Sequence, residues 1–238
     1  MNKSKRKNIL IISTILILIL IFFVARSVQF YNEEMQNPII SSNLANFNVN
    51  YLYQSYVSAE PNINDRPYYG ADGAEITMTG YLDLKSNSSK YFYLYIFPKI
   101  DDEYIKTGRL KFYAKYYLTK EDINEKNEKF MSALYIECTK KINVSYYNFY
   151  FDLINKGNQA VLILYNLTNN DEFQKCIKIS EPAALFIDVS EVQNFGMLGM
   201  NPRFYMGLEG KSNIILEGVP SYSIFNHTIR QQKFLIGS

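Results

Sequence analysis

The sequence predicts an all-β fold, an antiparallel β-sandwich or jelly roll of about ten strands, preceded by a single N-terminal transmembrane helix. Three observations predict it. An uncharged apolar run covers residues 9–25 behind a basic cluster. Apolar and polar residues then alternate with a period of two over several stretches. Finally, no segment reads as the crossover helix that a parallel sheet needs.

Lys3, Lys5, Arg6 and Lys7 precede the run, and no acidic residue occurs before Glu33. As a helix the run spans roughly 25 Å at about 1.5 Å per residue, slightly short of a bilayer core, and Phe30 and Tyr31 suit its outer edge. The basic stub 1–8 stays in the cytoplasm and the C-terminal bulk lies outside. Two readings stand for 9–25, an uncleaved anchor and a signal peptide cleaved after the Ala25-Arg26-Ser27 region. Both export the remainder of the chain: a tether, 26–43, and a β-domain, 44–238, with a boundary near 182 as the alternative.

The first strands are the clearest. Phe47, Val49, Tyr51, Tyr53 and Val57 alternate with polar neighbours, as do Ile76, Met78, Leu82 and Leu84, and then Leu110, Phe112, Ala114, Tyr116 and Leu118. Each reads as a half-buried strand with one wet face. Ser86-Asn87-Ser88-Ser89 reads as a hairpin turn into a strand over Lys90–Phe97. Asn155-Lys156-Gly157-Asn158 reads as a second hairpin, joining Val144–Leu153 to Gln159–Asn166. Further strands are expected at 133–139, 174–180, 184–189, 213–217 and 221–225. One short helix is expected at Lys120–Phe130, capped by Thr119 with Asp122 three residues on.

Cys138 and Cys176 form an even count in an exported chain, which suits a disulfide. Strand parity opposes it, since Cys138 shares a face with Leu134 and Ile136 but Cys176 with Gln174 and Lys178. A bridge and a merely buried Cys138 both remain open.

Charge and composition exclude several functions. Five of the 25 basic residues (Lys3, Lys5, Arg6, Lys7, Arg26) belong to the N-terminal segment, leaving 20 against 23 acidic side chains, a net charge of −3. That balance gives no footprint for nucleic acid. A single histidine, His227, removes most hydrolytic and zinc chemistry, and no nucleophile-elbow motif accompanies it. A sortase-type site fails at its residues: Tyr135-Ile136-Glu137-Cys138-Thr139 lacks that family's Thr-Leu-x-Thr-Cys, and His227 comes after both cysteines. Gly210-Lys211-Ser212 lacks the earlier glycine and the succeeding helix of a phosphate loop. Adjacent acids such as Asp101-Asp102-Glu103, and the pairs Asp72 with Glu75 and Asp188 with Glu191, read as solvated, leaving a carboxylate hydrolase as the least favoured reading.

No catalytic or metal residue and no cofactor is therefore assigned. Two long loops are the candidate contact surface, through Arg66, Tyr68 and Tyr69 in the first and Arg203 and Tyr205 in the second. The second also carries Met197, Met200 and Met206, a conceivable soft-metal set that more simply packs over an open sheet end. By elimination, the expectation is a membrane-anchored extracytoplasmic interaction protein docking with envelope partners. A carbohydrate or small-ligand module is the alternative. Its partners are the membrane, through 9–25, and a protein.

Overall fold

Residues 76–82 and 110–116 are strands where the alternation predicts them, yet they run parallel. The computed structural model describes residues 60–179, 182–199, 201–208 and 211–236. The stub 1–8, the run 9–25, the tether 26–43 and the alternating stretch 47–57 lie outside the described residues. Among the described residues no helix is long and apolar enough to cross a membrane.

Strands β1 (Ile76–Leu82), β2 (Leu110–Tyr116), β3 (Arg203–Leu208) and β4 (Lys211–Glu217) form one sheet in the order β2-β1-β3-β4. β1 pairs in parallel with β2, from Ile76 opposite Leu110 to Leu82 opposite Tyr116. It pairs antiparallel with β3, and β3 antiparallel with β4. Parallel neighbours cannot be joined by a hairpin. A helix, α1 (87–105), makes the crossover. The fold is mixed α/β, and the expected sandwich is corrected.

The alternation misleads because its polar face is not wet. Every residue of β1 and β2 is buried, including Thr77, Thr79, Lys111 and Lys115. A second layer covers that face with α7 (Ala183–Asn194) and the segment around 61–69. On the opposite face Met78, Phe112 and Phe204 pack against Phe92 and Phe97 of α1, and Phe225 of α8 (Tyr222–Ile236) joins the cluster. Gly80 is required there: a Cβ would lie 3.0 Å from the rings of both Phe112 and Phe204.

The stretch Lys90–Phe97, expected as a strand, is helical. Ser86 caps α1, and Phe92, Ile96, Ile100 and Tyr104, four apart, form its buried edge. Pro98 has no N–H to give, and α1 widens just before it: Phe97 N–H reaches Phe92 O, five residues back.

Between β2 and β3 the chain inserts α2 (Lys120–Glu125), α3 (Glu128–Thr139), α4 (Tyr146–Lys156), α5 (Asn158–Leu164), α6 (Asp171–Ile179) and α7. Of these the sequence predicts only α2, whose capping box forms as expected between Thr119 and Asp122. The expected strands at 133–139, 144–153, 159–166, 174–180, 184–189 and 221–225 fall instead on helices α3 to α8, whereas 213–217 falls on β4. Gly157 does take a positive φ of 81°, but it ends α4 and opens α5 rather than closing a hairpin.

Candidate functional site

The turn from β1 into α1 gathers the polar groups of one end of the sheet. Ser86 is the N-cap, with extended backbone (φ −80°, ψ 142°), and its Oγ accepts from Ser89 N–H at 3.0 Å. This satisfies one of the orphan donors of a helix start. The two hydroxyl oxygens lie 2.9 Å apart, and the Asp83 carbonyl is a second acceptor for the Ser86 proton at 3.2 Å. Ser86 is half-buried, whereas Ser89 is fully buried.

Across from this turn stands the loop before β3. Asn201 precedes Pro202 through a cis peptide bond. Its Oδ1 accepts from Asp83 N–H at 3.1 Å and, at 3.5 Å, from the Ser89 hydroxyl. The charges at the rim are paired: Asp83 with Lys129 at 2.7 Å, and Lys85 with Glu128. The resulting pair of hydroxyls at a helix start, faced by a carboxamide, is electrically balanced.

Beneath the polar face of the sheet lies a buried ionic cluster. Lys115 on β2 is wholly buried and contacts Glu191, Asp188 at 3.1 Å and the Asn62 carbonyl at 2.9 Å. Arg66 donates to Asp188 and lies 3.5 Å from Glu137 of α3. Asp188 also accepts from Tyr116 N–H at 2.8 Å on the outer edge of β2, where it serves as a lateral cap of the sheet. Burial pushes the Asp188 carboxyl above its usual range, which Arg66 and Lys115 offset only in part. Burial likewise raises Tyr81, Tyr116 and Tyr146 around the cluster. Removing two charged pairs from water is repaid only by such dense hydrogen bonding.

The residues expected as a contact surface are dispersed by this arrangement. Arg66 is in the ionic cluster, Arg203 is buried and paired with Glu217, and Tyr205 is buried against Tyr81 and Phe195. Tyr69 pairs with Phe112 as a short bridge on the edge of β2. Tyr68, 37 % exposed, is the one of the five that reaches the surface substantially. Met197 and Met206 sit in separate apolar clusters, and Met200 lies outside the described residues. Asp101 and Asp102 are both held by Lys106, Asp188 and Glu191 serve the ionic cluster, and His227 contacts Gln231. Among the described residues no group of three His, Cys, Asp or Glu side chains is placed to hold a metal ion.

The structure joins Cys138 to Cys176 as a disulfide, with Cα atoms 5.8 Å apart and a sequence separation of 38. The parity argument lapses because both stand on helices, α3 and α6, so period-two faces do not apply. An intrachain disulfide belongs to an oxidising compartment, and the domain is extracytoplasmic.

No family model matches the chain. Among curated proteins it is 41% identical over 56 residues to disulfide bond formation protein D of Bacillus subtilis (strain 168). That stretch covers 24% of this chain and spans only a quarter, 25%, of the relative's length. Solved structures agree over far more. Wolbachia pipientis alpha-DsbA1 matches with a TM-score of 0.60 and 21% identity, over 71% of this chain and 91% of that one. Oxidised BdbD of Bacillus subtilis matches at 0.58 and 20%, over 75% and 98%. Salmonella enterica Typhimurium BcfH matches at 0.61 and 12%, over 97% and 99%. The fold is the thioredoxin-like fold of DsbA, a small sheet with a helical insertion. The expected docking or carbohydrate-binding module is thereby corrected, for the proteins this chain resembles are DsbA-type thiol–disulfide oxidoreductases.

Thiol–disulfide proteins of the thioredoxin and DsbA type work through Cys-x-x-Cys, with a thiol acidified at a helix N-terminus in a β-α-β unit. Here the strand–helix turn of the β1-α1-β2 unit carries Ser86-Asn87-Ser88-Ser89, and the cysteines are elsewhere. From sequence these serines read as a hairpin turn. The signals that mark them otherwise are a good N-cap residue and apolar residues four apart after it.

Proposed function

We propose that this chain is an extracytoplasmic DsbA-type protein that handles exported, cysteine-bearing polypeptides by binding them, without exchanging disulfides at its strand–helix site. The observation that carries this reading is the Ser86–Ser89 pair, set 2.9 Å apart where the β-α-β unit puts a dithiol. Exchange proceeds by thiolate attack through a mixed disulfide, which a hydroxyl oxygen does not form. The curated relative is named for disulfide bond formation, which supports cysteine-bearing chains as the class of substrate.

The remaining disulfide is poorly suited to take over. Cys138 is fully buried and is the second-last residue of α3, where the negative end of the helix disfavours a thiolate. Cys176 is also buried. In this reading the bond is a staple. The run 9–25 carries the domain across the membrane and remains as a single-pass anchor with the N-terminus in the cytoplasm. Resistance of the full chain to alkaline extraction from membranes checks the anchoring.

The test of the main reading uses the full chain in detergent with two probes. One is a reduced, unfolded secretory protein, and the other is the same protein with its thiols carboxymethylated. The expected result is binding of the carboxymethylated probe and no acceleration of disulfide formation in the reduced one. Catalysed oxidation that disappears in C138A/C176A overturns the reading.

A further inference from the structure

We infer that Lys115 and Glu191 join in an intramolecular amide bond, formed by the folded chain itself with release of one water molecule, which ties strand β2 covalently to helix α7. The inference does not depend on what the strand–helix site binds. Lys115 is wholly buried on β2, and its Nζ contacts Glu191 Oε2 directly. Lys85, Lys129 and Lys140 are also paired with carboxylates, but their side chains keep between 27% and 35% of their area exposed. Water reaches those ammonium groups and is shut out from Lys115. The first step passes one ammonium proton to Glu191 Oε2, and a site closed to water favours exchanging an ion pair for a neutral amine and acid. Arg66, the other buried cation of the cluster, is excluded as the nucleophile because a guanidinium keeps its proton.

The groups around the pair match what the condensation needs. Glu191 Oε1 accepts the Asn62 main-chain N–H at 2.6 Å, a donor placed to hold the negative charge that develops on that oxygen as Nζ adds to the carboxyl carbon. Oε2 is the oxygen that leaves, and the Tyr81 hydroxyl donates to it at 2.8 Å. Asp188 Oδ1 lies 3.1 Å from Nζ and takes the second proton as the C–N bond forms. Burial pushes the Asp188 carboxyl above its usual range, which makes it a stronger base than a surface aspartate. That proton passes on to Oε2. Two of the three ammonium protons thus depart with this oxygen as water, the third stays on the amide, and the balance needs no oxidant or cofactor. The amide oxygen keeps the Asn62 N–H, and the amide N–H keeps the Asn62 carbonyl, 2.9 Å from Nζ, as its acceptor. Arg66 and Asp188 remain as a balanced buried pair. Holding amine and acid in contact replaces their encounter in solution, where bulk water opposes the same condensation.

The experiment takes the full chain in detergent after prolonged incubation, reduces its disulfide, and measures intact mass under denaturing conditions beside K115R. The arginine keeps a cation for Asp188 and Glu191 but cannot form the amide. The wild type is expected to be lighter by one water than its termini require, with a branched tryptic peptide joining Lys115 to Glu191. K115R should show neither. The reduced, denatured wild type should also migrate faster than K115R in a gel, because its chain stays looped between the two positions. A wild type of full mass, or a water lost but mapped to other residues, overturns the inference. The same loss in K115R overturns it too. If K115R fails to fold, the presence or absence of the branched peptide in the wild type decides alone.

Discussion

Replacing both serines by cysteine, S86C/S89C, tests whether the strand–helix turn is built as a dithiol site. The oxygens are already 2.9 Å apart, and sulfurs on their longer bonds start closer than that to the disulfide distance of about 2.05 Å. Little backbone motion is needed. The closed ring would hold only four residues, for which the chain-entropy expression gives about 2 kcal/mol, against about 4 kcal/mol for the loop between Cys138 and Cys176. The engineered bond is therefore expected to form in air and to be the first reduced as dithiothreitol is raised. Position 86 is half-buried at the start of α1, so its thiol should titrate within about 3.5–7.5, below the ordinary value of about 8.5. The single variants separate the two positions: S86C should react quickly with iodoacetamide, while S89C, fully buried, should be protected. Thiolate absorbance against pH and mass spectrometry after alkylation give the readouts. A thiol at position 86 titrating near about 8.5, with no bond between the two positions on mild oxidation, would refute the placement of this site.

Other parts of the fold respond to perturbation in their own ways. C138A/C176A should lower stability by about 4 kcal/mol, measured by urea unfolding, because a loop of 38 residues is released in the unfolded chain. K115M should cost about 3–5 kcal/mol, with amide exchange in α7 rising first, because Asp188 and Glu191 lose a buried cation. Asp122 titrates below its ordinary value: burial opposes its charge, but hydrogen bonds from Asn127 and from the Thr119 main chain and hydroxyl outweigh it. Its contribution is complete above the unfolded carboxyl value of about 4 and is lost as pH falls through the lower folded value. The stability gap between wild type and D122N should therefore be widest at neutral pH and close in acid, as tracked by thermal melts across pH.

The sequence by itself determined the features whose causes are local. Alternation over 76–82 and 110–116 marked β1 and β2, and Thr119 with Asp122 marked the start of α2, because strand pleat and capping each act within a few residues. Tertiary structure decided what those strands belong to. Thr77, Lys111 and Lys115 read as solvent-facing, but α7 and Arg66, remote in sequence, bury and neutralise that face. Reading Ser86–Ser89 as a hairpin turn made a strand of Lys90–Phe97, and the buried edge at Phe92, Ile96 and Ile100 emerges only once the sheet is there to cover it. Covalent connection was likewise a matter of space: parity along imagined strands separated Cys138 from Cys176, whereas two packed helices bring them within bonding reach. The site was the least legible part. Two cysteines at 86 and 89 would have announced themselves through their chemistry, while two serines are ordinary turn and cap residues. Only their position at the head of a crossover helix, opposite Asn201, gives them meaning.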